Sequence, residues 1–155
     1  MTMPSRFQIF LILLLWLAVF AGAQEKKIKR TELPPEVEKT VAAQSANATI
    51  RGFSQEREKG QTYYEAELSV AGQHKDLLMD PRGNIVEVEE EVAFDSLPAA
   101  VRDNLLAKAG KGKVQNVESL TKRGKLVAYE AHVVARGKHS EVQVGPGGES
   151  LSHEE

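Results

Sequence analysis

The sequence predicts an α+β fold made of two tandem repeats, each a helix packed on an antiparallel sheet of three or four strands. Three observations predict it. Leu33-Pro34 with Val37, Tyr64-Glu65-Ala66, Gly72, His74, Pro81 and Gly83 return as Leu97-Pro98 with Val101, Tyr129-Glu130-Ala131, Gly137, His139, Pro146 and Gly148. The offset is 64 residues at the helix and 65 from the tyrosine onward, so one inserted residue separates two collinear units, the mark of a duplicated folding unit. Each copy also opens on apolar residues four apart and continues into apolar–polar alternation, the two periods of helix and strand. Residues 24–91 are read as the first repeat and 92–155 as the second.

Residues 1–23 read as a signal peptide. A short polar stretch with Arg6 leads into the apolar run Ile9 to Phe20 and then Ala21-Gly22-Ala23. The run falls short of the roughly 20 apolar residues that span a bilayer, and small residues follow it where a peptidase cuts. Cleavage is expected after Ala23; the alternative is an uncleaved N-terminal membrane anchor, and both place the remaining chain outside the cytoplasm. Cleavage leaves 132 of the 155 residues. A unit of about 60 residues buries only about 60% of its unfolded surface, and exported proteins of that size commonly add disulfides. This chain has no cysteine. The two repeats are therefore expected to pack together or to share a sheet.

Each repeat begins with a helix, because Leu33, Val37 and Val41, and likewise Leu97, Val101 and Leu105, form one stripe. Pro34, Pro35 and Pro98 mark the starts, where a missing N–H costs no helical hydrogen bond. Gly110 and Gly112 are terminators of the second helix. Extended stretches follow at Ala48 to Gln55 and Lys113 to Leu120. Their apolar residues, Ile50 with Phe53 and Val114 with Val117, lie three apart, which predicts a bulge or kinked entry. Polar loops carrying Gly60 and Gly124 turn the chain into the clearest strands. In Thr62 to Val70 the residues Tyr64, Ala66, Leu68 and Val70 face one way and Tyr63, Glu65, Glu67 and Ser69 the other. The second copy turns Tyr129, Ala131, Val133 and Ala135 inward and Glu130 and His132 outward. A third strand carries Leu77 and Met79, or Val142 and Val144, into the tight turns at Pro81-Arg82-Gly83 and Pro146-Gly147-Gly148. The fourth carries Val86 and Val88 in one repeat and only Leu151 and His153 in the other.

Charge is nearly balanced, with 20 basic and 22 acidic residues, which excludes an electrostatic nucleic-acid binder. Lys26, Lys27, Lys29 and Arg30 read as a solvated, mobile terminus. Glu87, Glu89, Glu90 and Glu91, and Glu154 with Glu155, read as polar strand ends that resist edge pairing.

With Leu-Pro and a valine three later, the Tyr-Glu-Ala strand and the hairpin Asp80-Pro81-Arg82-Gly83-Asn84-Ile85-Val86, the chain resembles a PepSY-like domain. In tandem it is similar to the PepSY-like proteins grouped with β-lactamase inhibitors, over nearly all of the chain beyond residue 23. The resemblance implies an exported, non-enzymatic module with helices on an antiparallel sheet, in a group associated with restraining peptidases and other hydrolases. The inhibitor group uses disulfides and an aromatic-rich sheet. Here cysteine is absent and the single tryptophan, Trp16, lies in the signal segment, so tight lactamase inhibition is not expected.

No enzyme is expected: there is no Gly-x-Ser-x-Gly elbow, and the outward pair Glu65 and Glu67 reads as solubilising. No cofactor is expected. His74 and His139 occupy matching positions, but neither has a recurring partner at ligand spacing, so no metal is expected either. The functional reading is a protein-binding module, an inhibitor or modulator, in the periplasm or secreted. Its site is the open sheet face around Tyr63, Glu65, Glu67, Glu130 and His132, and its partner an envelope or secreted protein. The alternative is a small structural or self-associating envelope protein.

Overall fold

The structure, a computed structural model, describes residues 24–153 and 155; the expected signal peptide and Glu154 lie outside the described residues. The chain runs β1 (Gln24–Lys27), α1 (Pro35–Gln44), β2 (Thr49–Glu58), β3 (Gln61–Val70), β4 (Gln73–Met79), β5 (Ile85–Val92), α2 (Ala99–Ala109), β6 (Lys113–Lys122), β7 (Lys125–Ala135) and β8 (Lys138–Val144). Single 3₁₀ turns at Arg30–Glu32 and Phe94–Ser96 lead into the helices. Both helices start at the expected prolines: Glu38 N–H donates to Pro34 C=O (2.9 Å) and Arg102 N–H to Pro98 C=O (3.1 Å). Two-residue hairpins such as Lys59-Gly60 have positive φ at both positions, 49° and 81°, the turn whose twist matches antiparallel strands.

The architecture corrects the expectation of two helix-on-sheet repeats with three or four strands each. The eight strands of the described residues form a single antiparallel sheet in the order β1-β2-β3-β4-β5-β6-β7-β8. The joint is the β5–β6 ladder, which runs from Glu87 opposite Lys122 to Val92 opposite Val117. Separate sheets would leave the backbone N–H and C=O groups of β5 and β6 as open edges, and pairing them satisfies both. The acidic run of β5 is therefore no edge guard; it crosses the middle of the sheet.

Two further expectations change. Lys26 and Lys27 are no loose terminus, because β1 pairs with β2 from Gln24 opposite Arg57 to Lys27 opposite Ser54. Among the described residues no strand follows Val144, so Leu151 and His153 are irregular. The anticipated bulges are present, with register breaks between Ile50 and Gly52 and between Val114 and Asn116. Among the described residues, no helix is long and apolar enough to cross a membrane.

Both helices lie on one face of the sheet. Val37 and Val41 of α1 pack with Leu33 on Phe53, Ala66, Leu68, Leu77 and Met79. Val101 and Leu105 of α2 pack with Leu97 on Val117, Ala131, Val133 and Val144. Tyr64 and Tyr129 lie half-buried against these clusters, as their alternation requires. Each fully buried leucine or valine contributes about 1.5–3 kcal/mol by leaving water, so the apolar face holds the fold together. Among the described residues, the opposite face carries no helix.

Candidate functional site

Alternation places the side chains that point away from the helices, and the strand register then decides which of them meet. Glu67 lies opposite Asp76, and Asp76 opposite Glu89, so β3, β4 and β5 carry a row of three carboxylates. Glu91 lies opposite Glu118, and Glu118 opposite Glu130, so β5, β6 and β7 carry a second row, which ends at Gln143 on β8. Like charges directly opposite each other destabilise a ladder. The first row continues across β6 and β7 as Leu120 and Ala128, both buried although they face away from the helices.

The carboxylates are also desolvated. Asp76 is 8% exposed, Glu118 6% and Glu130 2%. Burial, reinforced by Glu65, Glu67 and Glu118, pushes the Asp76 carboxyl up to about 8. Burial pushes Glu130 up to about 7, against the hydrogen bond from Gln143 and with the charge of Glu141. Burial, with Glu65 and Glu25 nearby, pushes Glu56 up to about 7 as well. Glu89 is raised by burial and then by Glu87 and Glu118. Two buried oxygens, Asp76 Oδ1 and Glu130 Oε1, receive no hydrogen bond.

The expected site residues divide into two groups. On the β3 side, Tyr63 Oη donates to Gln61 Oε1 (2.6 Å), Ser54 Oγ donates to Glu65 Oε2 (2.6 Å), and Lys27 Nζ forms a close ion pair with Glu67. Burial raises the Glu65 carboxyl and the Ser54 hydroxyl opposes that rise. On the β7 side, Glu130 and His132 meet Glu118, which the sequence analysis did not single out. His132 Nε2 lies 3.2 Å from Glu118 Oε2 and 3.8 Å from Glu130 Oε1, and its Nδ1 lies 3.5 Å from Glu141 Oε1. Burial draws the His132 imidazole down, but Glu118, Glu130 and Glu141 outweigh it and leave it raised.

This second group is not the solvated surface the alternation suggested. His132 is only 9% exposed. Glu155 adds to the cover, since its N–H donates to Gln143 Oε1 (2.8 Å) and its side-chain carboxylate lies 3.7 Å from Lys122 Nζ. The matched histidines stay apart from the cluster: His74 Nδ1 faces Asp76 Oδ2 at 3.4 Å, and His139 is exposed opposite Val134. Among the described residues, the histidine with two carboxylates at ligand distance is His132. Glu130-x-His132 was legible as one strand face; Glu118 was not, because only the β6–β7 register brings it there.

No family model matches the chain, and no curated protein matches it in sequence. Solved structures do match in fold. One is a protein described as periplasmic from Bacteroides eggerthii (TM-score 0.62, 21% identity, covering 76% of this chain and 84% of that one). Another is a DUF2874 family protein from Bacteroides ovatus (0.60, 19%, 77% and 85%). A third is a BLIP-like protein from Bacteroides fragilis (0.54, 24%, 77% and 83%). At these identities the likeness is one of fold. It extends to a BLIP-like protein, while the PepSY-like resemblance finds no matching family model.

Proposed function

We propose that the protein is a non-enzymatic binding module of the periplasm whose helix-free sheet face docks a basic segment of a partner protein. The observation that carries this reading is the pair of carboxylate rows, Glu67-Asp76-Glu89 and Glu91-Glu118-Glu130, each facing its own like charges across adjacent strands. A sheet that sets acids opposite acids and buries them gives up stability, and such local conflicts gather at functional surfaces. Lysine or arginine side chains entering this face would neutralise both rows. They would pair with Glu65, Glu67 and Glu91, the carboxylates of this face that stay partly exposed, while Asp76 and Glu130 lie beneath them. Leu78, Leu120 and Ala128 supply an apolar centre, the usual middle of an interface.

Periplasmic placement is supported by the signal-peptide pattern of residues 1–23 and by the neighbour described as periplasmic. A modulator that grips a basic lip of a peptidase or another hydrolase fits the same surface, and the BLIP-like neighbour is in keeping with that. Face-to-face self-association is disfavoured, because it would bring the two acidic faces together.

The test is capture from the host's periplasmic extract on immobilised protein at low and high salt. A discrete partner should bind at low salt, weaken steeply as salt rises, and be lost with Glu65→Lys and Glu91→Lys. The same proteins retained by wild type and both variants would remove the face from the account.

A further inference from the structure

We propose that Glu118, Glu130 and His132 form a binding site for one divalent transition-metal ion of the zinc class. The proposal shares Glu118 and Glu130 with the docking face but needs no partner protein. One ligand atom from each residue lies within 4.8 Å of the other two, and all three residues are buried. Tetrahedral zinc with nitrogen and oxygen ligands at about 2.0–2.1 Å holds those ligands about 3.3 Å apart. His132 Nε2 is 3.2 Å from Glu118 Oε2, already at that spacing, and 3.8 Å from Glu130 Oε1, and the two carboxylate atoms lie within 4.8 Å of each other, so binding draws the carboxylates in toward the ion.

Two further observations point to a cation at that spot. Glu130 is 2% exposed, and its Oε1, directed at His132, receives no hydrogen bond. A proton on Nε2 does not answer this, because its single N–H is taken by Glu118 at 3.2 Å and 3.8 Å is too long for a hydrogen bond. A metal ion attracts both carboxylates at once.

The second observation is that the other polar atom of each ligand already has a neighbour that orients it. Asn116 Nδ2 donates to Glu118 Oε1 (3.4 Å) and Gln143 Nε2 to Glu130 Oε2 (2.5 Å). His132 Nδ1 faces Glu141 Oε1 (3.5 Å). A carboxylate on the far nitrogen of a ligating histidine fixes its tautomer and leaves Nε2 free to bind metal. The imidazole selects the zinc class over manganese and calcium, and three side chains fall short of the six to eight oxygen ligands that calcium takes. Three protein ligands leave a further position for water or for a donor from a bound partner.

The test is calorimetric titration of the purified, EDTA-treated protein with zinc chloride, with manganese and calcium chlorides as comparisons and circular dichroism to verify folding. The expected result is one zinc per chain at micromolar affinity or tighter and no calcium heat. Glu130→Gln and His132→Ala should weaken zinc binding at least a hundredfold, and Glu141→Ala about tenfold. If the ligand variants do not fold, nitrogen-15 spectra of the wild-type histidine rings decide. Zinc should shift Nε2 of His132 and leave Nδ1 protonated. Absent zinc binding, affinity unchanged in folded variants, or shifts confined to His74, His139 and His153 would each overturn the site.

Discussion

Asp76 concentrates the electrostatic conflict of the sheet in one side chain. It is buried, its Oδ1 lacks a donor, and Glu65, Glu67 and Glu118 add to burial in holding its carboxyl near 8, with Lys27 opposing. Its folded-state value lies above the unfolded value of 3.8, so the folded chain keeps a proton the unfolded chain has released. Stability from this group is complete below the unfolded value and is lost as pH rises through the folded one. Glu56 and Glu130, raised to about 7, act in the same direction, and so does His132. The melting temperature should therefore fall from pH 5 to pH 8, a window in which ordinary exposed carboxylates are already ionised. Asp76→Asn should flatten that slope and raise the melting temperature at pH 8 by about 2–6 °C. Scanning calorimetry across the range checks this; a melting temperature that climbs toward pH 8 would contradict the burial described here. The residue types on this face were legible from alternation alone. Their burial was not, because it depends on which strand lies alongside.

At the scale of elements, each helix rests on a turn as well as on the sheet. The backbone of Gly83, with φ at +77°, lies so near α1 that a Cβ would come within 2.4 Å of Glu36 C=O, and Thr40 Oγ1 donates to Gly83 C=O at 2.8 Å. Gly148, with φ at +89°, meets α2 in the same way, and a Cβ there would come within 2.6 Å of Ala100 C=O. The Pro-x-Gly pattern revealed these turns in the sequence, but not that the helices dock on them. Gly83→Ala should cost about 2–4 kcal/mol, combining backbone strain with overpacking. Gly60→Ala should cost only about 1 kcal/mol, because Gly60 has positive φ but open space around it. Urea denaturation of both variants separates the two effects, and equal losses would show that the helix–turn contact carries no weight. The helices and the main strands were readable because their apolar residues repeat every four or every two positions. β1 was not, since four residues rich in lysine, Gln24–Lys27, read as a polar terminus until β2 supplies their hydrogen bonds.

The whole molecule differs from the sum of its elements at one place, the pairing of β5 with β6. The residues alone leave open whether the halves pack together or share a sheet, and each half reads as a short sheet of its own. Nothing in Glu87-Val88-Glu89-Glu90-Glu91 distinguishes a guarded edge from a central strand, because the backbone partner lies beyond α2. Once the two strands join, carboxylates from β3 to β7 come onto one continuous helix-free face, and Glu118 comes to stand between Glu91 and Glu130. The function proposed here belongs to that joined surface and to neither half alone.

That claim is tested most directly by photo-crosslinking in the host periplasm, with a photoreactive residue placed singly at Tyr63 or Glu91 on the helix-free face and at Lys39 or Asp103 on the exposed sides of the helices. The account predicts one discrete adduct from Tyr63 and Glu91 and none from Lys39 or Asp103. Adducts from the helix positions alone, or equally from all four, would contradict it.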